Sequence, residues 1–282
     1  MNSFLFGRRQ PAGPRSHRAY AVGDVHGRLD LLESLLALIE NDVRKRQKMA
    51  TSIVFLGDLV DRGPDSAGVV EFLRSYRPDF AKTLFLMGNH EEVMLRVLDG
   101  DAVLLAKWMT FGGAECARSY GVDPADLRRM PSADAIALLN TRVPANHREF
   151  LASFADTISF GSYIFVHAGI RPGTAIGEQV QSDLRWIREP FLGDKRDHGC
   201  IVVHGHTICE EVDLCSNRIG IDTGAYRTSV LTALGLERTK RWFIQTDGTM
   251  ARMAQPLTPK HSDAGDVSPA MQTPVSRTVF RN

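Results

Sequence analysis

Asp24, His26, Asp58, Asn89, His167 and His206 share one placement along this chain: each follows a short apolar run at a glycine or a turn. Tyr20-Ala21-Val22 leads into Gly23-Asp24-Val25-His26-Gly27, and Val54-Phe55-Leu56 into Gly57-Asp58. Phe85-Leu86-Met87 leads into Gly88-Asn89-His90-Glu91, Ile164-Phe165-Val166 into His167-Ala168-Gly169, and Ile201-Val202-Val203 into His204-Gly205-His206-Thr207. In α/β sheets ligands bind beyond the carboxyl ends of the strands, so five such ends can gather their side chains at one rim. The donors are nitrogen and oxygen, the set that suits borderline divalent metals such as manganese, iron or zinc. The two-residue step from Asp24 to His26 is expected to put both side chains on one side of an extended segment. Taken singly, a Gly-Asp is a turn, a histidine after a strand is a core residue, and Asn89 is a cap. The repetition at five strand ends is what points to a metal centre.

The elements that must position these residues follow from periodicity. Arg18 to Val22, Ser52 to Leu56 and Thr83 to Met87 read as buried strands, each ending at a glycine. Helices are expected between them: Leu29, Leu32, Leu35, Leu36, Ile39 and Val43 recur at helical spacing, as do Val69, Val70 and Leu73. Residues 101 to 155 read as mostly helical, and strand character returns after Thr157 at 157–160, 163–166, 200–203, 218–221, 230–234 and 241–245. The expected architecture is α/β with two packed sheets and helices outside.

With 282 residues, 43% of them hydrophobic and 24% charged, the chain has globular composition and enough length for a large core. The formal net charge of +1 gives no global field to draw in nucleic acid, and no apolar run is long enough to span a membrane. Cys116, Cys200, Cys209 and Cys215 include no Cys-x-x-Cys pair, and read as reduced thiols of a cytoplasmic protein. Residues 1–17 are expected to form a flexible extension, 18–253 one catalytic domain, and 254–282 a disordered tail. Trp108, Phe111 and Gly112-Gly113 suggest a helix end over the core, with a wall of a substrate groove as the alternative. Arg44-Lys45-Arg46 ends a helix and complements its dipole.

At Gly23–Gly27, Gly57–Gly63, Gly88–Glu91, His167-Ala168, Gly205-His206-Thr207 and Ile221–Gly224 the sequence resembles the phosphoprotein phosphatase branch of the calcineurin-like metallophosphoesterases. Within that branch it is most similar to the small bacterial and bacteriophage lambda type serine/threonine phosphatases. The resemblance implies a four-layer metallophosphoesterase fold, two packed β-sheets flanked by helices. It also implies two divalent metal ions, manganese first and iron or zinc as alternatives. Asp24 and His26 would hold one ion, Asp58 both, and Asn89, His167 and His206 the other. His204 matches no ligand. The implied reaction is direct attack on phosphorus by a hydroxide bridging the ions, a geometry suited to in-line displacement without a phosphoenzyme. His90 would be the general acid, oriented by Asp61. Arg62 and Arg188 would bind the phosphate, with Arg185 as the alternative to Arg188.

The reading so reached is a serine/threonine protein phosphatase acting on a phosphorylated protein or peptide, and on small phosphoesters besides. The Asp61-Arg62 pair and Glu91 motivate it. One alternative is a dinucleoside polyphosphate (diadenosine tetraphosphate) hydrolase, a relative that typically lacks the aspartate of that pair, carries Asp in place of Glu91 and shows Gly-His-Trp in place of Gly205-His206-Thr207. The other is a non-catalytic metal-binding scaffold. Nucleases and cyclic-nucleotide phosphodiesterases occur on related folds, and fold alone does not exclude them.

Overall fold

The computed structural model describes residues 10–247, 250–252 and 277–279. It opens with three β–α units: β1 (His17–Val22), α1 (Leu29–Lys45), β2 (Ala50–Phe55), α2 (Ser66–Ser75), β3 (Lys82–Phe85) and α3 (Asn89–Leu98). A helical lobe follows, made of α4 (Ala102–Trp108), the turn Met109–Gly113, α5 (Ala114–Ser119), α6 (Pro124–Arg129), α7 (Ser132–Arg142) and α8 (Ala145–Ala152). The remainder comprises β4 (Thr157–Phe160), β5 (Tyr163–Phe165), α9 (Gln181–Trp186), β6 (Ile201–His204), β7 (Asp213–Leu214), β8 (Arg218–Gly220), α10 (Ala225–Thr228), β9 (Thr232–Glu237), β10 (Lys240–Gln245), β11 (Met250–Arg252) and β12 (Arg277–Val279).

The strands form two six-stranded mixed sheets, in the orders β11-β10-β9-β1-β2-β3 and β12-β4-β5-β6-β8-β7. β1, β2 and β3 are mutually parallel, and so are β5, β6 and β8. The period-2 alternation of side chains along a strand assigns the layers. Tyr20 and Val22 of β1 and Ile53 and Phe55 of β2 pack with the apolar faces of α1, α2 and the helical lobe. Ala19, Ala21, Val54 and Leu56 point the other way, into a core shared with Phe160, Tyr163, Phe165, Val203 and Ile219 of the second sheet. The outer face of that sheet, Ile164, Val166 and Val202, packs on Leu184, Ile187 and Phe191. The result is four layers, α-β-β-α, as expected. Sheets covered on both faces have no polar alternation to show, which is why their strands read as unbroken apolar runs.

Short pieces of the two terminal segments are joined to the body. Within 1–17, residues 11–13 are held to the body: Gly13 N–H donates to the Arg238 carbonyl, and the Ala12 carbonyl accepts from Ser162 N–H. Within 254–282, β12 pairs in parallel with β4; the rest of that segment and residues 1–9 lie outside the described residues. No helix among the described residues is long and apolar enough to cross a membrane, and all four cysteines are free thiols. The basic run closing α1 is largely spent on local contacts: Arg44 pairs with Glu40, and Arg46 pairs with Asp42 and lies over the Trp242 ring.

Candidate metal centre

The two sheets deliver their strand ends to one edge. Val25 and His26 donate their N–H groups to the Asp58 carbonyl, and Gly205 N–H donates to the His167 carbonyl, so the loops after β1 and β2, and after β5 and β6, are tied in pairs. Asp24, His26, Asp58, Asn89, His90, His167 and His206 are all buried there. Two groups of donor atoms converge, His26 with Asp58 and His90, and Asp58 with His167 and His206; within each group the atoms lie within 4.8 Å of one another. Asp58 belongs to both. Its carboxylate lies 3.6 Å from His26 Nε2 and 3.4 Å from His167 Nε2. Ligands about 2.0–2.2 Å from a common cation sit roughly 3–3.5 Å from each other, which is the scale of these separations.

The backbone that presents them is not extended. His26, Asp58 and His206 have φ of 45°, 50° and 63°, and Asp61 and Arg62 have 71° and 67°. Left-handed backbone at non-glycine residues costs about 1–3 kcal/mol each and persists only where the surroundings enforce it. Asp24 and His26 therefore reach the site through a tight turn, which corrects the expectation of two neighbours on one face of an extended segment. Glu91 does much of the enforcing. Its buried carboxylate accepts from the N–H groups of Asp58 (2.8 Å), Leu59 (2.7 Å), Val60 (3.2 Å) and Gly88 (3.0 Å). A Cβ on Gly88 would overlap the Asp58 carboxylate, so only glycine admits this packing.

The polar contacts leave a deficit that a cation fits. His26 Nδ1 donates to the Val60 carbonyl at 2.8 Å and His167 Nδ1 to the Leu56 carbonyl at 2.8 Å, which turns both Nε2 atoms toward the centre. His167 Nε2 lies 2.9 Å from Asn89 Oδ1, and although burial lowers its affinity for a proton, the neighbouring Asp58 carboxylate raises it. Asp24 Oδ1, His26 Nε2 and His206 Nε2 are buried without a hydrogen-bond partner. Buried polar atoms are paired as a rule, and the unpaired His26 Nε2, 3.6 Å from the Asp58 carboxylate, marks a place for positive charge, while His206 meets Asn89 Oδ1 through Nδ1 at 2.8 Å. Burial, then the charge of Asp222 and Asp58, raises the Asp24 carboxyl well above the usual range. Burial and the charge of His90 push His26 well down, and burial with His167 pushes His206 down to about 3. Neutral imidazoles are the form a metal takes. For Asp58 burial acts upward, but the charges of His167 and His90 outweigh it and hold the carboxyl well below the usual range.

Beside the donors stands a second constellation. His90 Nδ1 donates to Asp61 Oδ2 at 2.7 Å, and both Asp61 oxygens accept from Trp108 Nε1–H, at 3.0 and 3.1 Å. Burial lowers the affinity of His90 for its proton, but Asp58 and Asp61 together reverse this and raise it. Arg62 donates to His90 Nε2 at 3.0 Å, and its guanidinium lies 5.0 Å from the centre of the Tyr226 ring. Arg185 is committed elsewhere, to Asp156 at 2.6 Å and Glu92 at 3.3 Å. Arg188 is exposed, and its charge helps to depress His206.

His204 stays out of the centre. As the last residue of β6 it shares the face of Val202, and its ring packs edge-on against Phe191, 5.2 Å between centroids. Trp108 ends α4 inside the core, as expected, and is besides the partner of Asp61. Tyr226 was not singled out by sequence. It is half-buried with its ring edge-on to His26 at 5.5 Å, and nothing in the Ala225-Tyr226-Arg227 context distinguishes it from a surface tyrosine. Asp222, within Ile221–Gly224, carries no sequence signal that sets it apart from a turn carboxylate. Its Oδ1 accepts from Gly224 N–H, and its Oδ2 is buried without a partner.

Residues 17–226 match the calcineurin-like phosphoesterase family model. The chain is 37% identical to the symmetrical bis(5'-nucleosyl)-tetraphosphatase of Methylococcus capsulatus over 85% of this chain and 73% of that protein. It is 27% identical to the asymmetrical bis(5'-nucleosyl)-tetraphosphatase PrpE of Bacillus subtilis over 75% of this chain and 87% of that protein. Among solved structures, a putative diadenosine tetraphosphatase aligns with TM-score 0.57 at 20% identity, covering 86% of this chain and 95% of that one. A cold-active protein-tyrosine phosphatase from a Shewanella species aligns with TM-score 0.53 at 19% identity, covering 86% and 83%. At those identities the structures speak to fold alone. The two sequence relatives overturn the serine/threonine protein phosphatase reading, and with it a phosphorylated protein or peptide as the partner. The physical reason lies in the residues that motivated it. Asp61 is bonded to His90, and Glu91 to four backbone N–H groups, so both are spent inside the donor cluster and neither reports what a substrate carries.

Proposed function

The chain belongs to the calcineurin-like phosphoesterase family, and within it we propose that it hydrolyses dinucleoside tetraphosphates, diadenosine tetraphosphate being the representative substrate. The observation that carries this is the 37% identity over 85% of the chain with a bis(5'-nucleosyl)-tetraphosphatase.

In this reading Asp24 and His26 would hold one divalent ion, Asn89, His167 and His206 would hold the other, and Asp58 would serve both. Manganese is the ion to try first, with iron and zinc as alternatives, since the N/O donor set admits all three. Bound there, two cations acidify a water and neutralise phosphoryl oxygens. The chain's own residues supply the rest. Arg62 and Arg188 grip the non-bridging oxygens of the phosphate chain, and Tyr226 holds the Arg62 guanidinium against its ring face. With Arg62 on the substrate, His90 Nε2 is released to carry a proton to the departing phosphate oxygen. Asp61 fixes the tautomer through Nδ1, and Trp108 keeps the Asp61 carboxylate in place.

Purified full-length protein with manganese is expected to consume diadenosine tetraphosphate, and chelator to stop it. Products resolved by chromatography give the cleavage site: ADP alone means symmetrical cleavage, ATP with AMP asymmetrical. Cleavage of para-nitrophenyl phosphate and a phosphothreonine peptide, with the dinucleotide left intact, would overturn the assignment.

A further inference from the structure

Trp186 is an indole left 36% exposed although its plane is fixed. Its Nε1–H donates to Glu92 Oε2 at 3.2 Å. Glu92 lies in the first turn of α3, two residues past His90, hence about 3 Å further along the helix axis. The adjoining Arg185 is locked by Asp156 and by the same Glu92, which leaves the turn around the indole little freedom. Two residues on is Arg188, exposed and with its charge reaching His206. The indole is thus tied to the helix turn that carries His90, and stands two residues before the cation that would grip a phosphate chain. Elsewhere among the described residues Val103 and Leu214 are exposed but offer no ring, and the exposed ring of Phe111 lies under the Lys107 ammonium with no hydrogen bond to fix its plane.

An exposed aromatic plane costs solvation unless something covers it, and a plane held by a hydrogen bond is already arranged for a flat partner. We propose that Trp186 is the platform on which one nucleobase of the substrate stacks, so that it sets the preference for nucleoside polyphosphates over phosphate chains without a base. The inference rests on the dinucleotide reading above and names the residue that would recognise the nucleoside. Stacking of this kind tolerates any base, because every base presents a π-face, so adenine and guanine substrates are accepted alike.

The test uses the full chain with manganese and the variants Trp186→Ala and Trp186→Phe. ADP and pyrophosphate are titrated as competitive inhibitors of para-nitrophenyl phosphate hydrolysis, each variant assayed at its own KM, and diadenosine tetraphosphate turnover is measured in parallel. Removing one base stack is expected to weaken ADP inhibition about fivefold to a hundredfold and to raise the dinucleotide KM by a similar factor. Pyrophosphate inhibition stays within twofold, kcat changes little, and Trp186→Phe recovers most of the loss. Equal weakening of ADP and pyrophosphate would show that Trp186 merely supports the arginine, and no weakening of either would show that it binds nothing; each overturns the proposal. A wild type that ignores the dinucleotide yet loses ADP inhibition on Trp186→Ala would retain the platform and discard the tetraphosphatase assignment.

Discussion

At the scale of single residues, Asp58 carries the most. It belongs to both donor groups, so Asp58→Asn is expected to lower turnover of every phosphoester by at least two orders of magnitude, because even partners of metal ligands are worth 10–100-fold. Bound metal per chain, read by elemental analysis, falls with it; full metal content with lost activity would place Asp58 outside the ligand set. For His90 the leaving group decides. A nucleotide phosphate, with a second pKa of about 6, departs far more readily than an alkoxide. His90→Asn should therefore cost ~100-fold or more on an alkyl phosphate and clearly less on diadenosine tetraphosphate. Equal losses would count against His90 as the proton donor. His204 acts through stability. Burial pushes its imidazole down to about 4, below the ordinary 6.5. The unfolded chain then binds a proton that the folded chain refuses, so this stabilisation is present above pH 6.5 and lost as pH falls toward 4. Between pH 7 and pH 5 the loss is about 2 kcal/mol. Urea midpoints at the two pH values should show that drop in the wild type and a smaller one in His204→Leu.

At the scale of elements, the loop after β2 is held by α3. Glu91, in the first turn of that helix, accepts four backbone N–H groups from residues 58–60 and 88. Glu91→Gln turns an NH2 group toward two of those donors, and is expected to cost about 2–3 kcal/mol in a denaturant titration and to weaken metal binding. An unchanged midpoint would mean that the loop holds its shape unaided. The same loop shows where the sequence was legible and where it was not. Apolar runs broken by glycine located β1 and β2, which are buried on both faces and leave no other pattern, and also β3, which proves to be a partly exposed edge strand. The resemblance, not periodicity, set His204 apart from His206; the structure supplies the reason, since His204 packs on Phe191 and a positive φ that no local propensity announces turns the chain at His206. The bond from Trp108 to Asp61 spans 47 residues of chain, and long-range pairing of that kind leaves no periodic trace. The protein-phosphatase reading failed for another reason: Asp61 and Glu91 are bonded within the donor cluster, and the side chain inferred to meet a base, Trp186, lies in a short helix that looks like any surface segment.

At the scale of the whole molecule, both sheets end in one cluster of buried carboxylates and imidazoles, so folding and ion binding are coupled. With manganese at about a hundred times its Kd, the folded state gains roughly 2.7 kcal/mol, which in a domain of this size raises Tm by about 5–10 °C. Differential scanning fluorimetry with manganese against chelator measures this, and an unchanged Tm would speak against a site built from these buried groups. The left-handed backbone at His26, Asp58, Asp61, Arg62 and His206 has a bearing on laboratory evolution. These five positions come from three loops in both halves of the chain, and at each the native residue accepts a conformation that glycine adopts freely. A library sorted only for survival at high temperature would be drawn to glycine and asparagine there, and the heat-resistant winners would be inert toward phosphoesters. Directed evolution of this scaffold has to select on turnover from its first round.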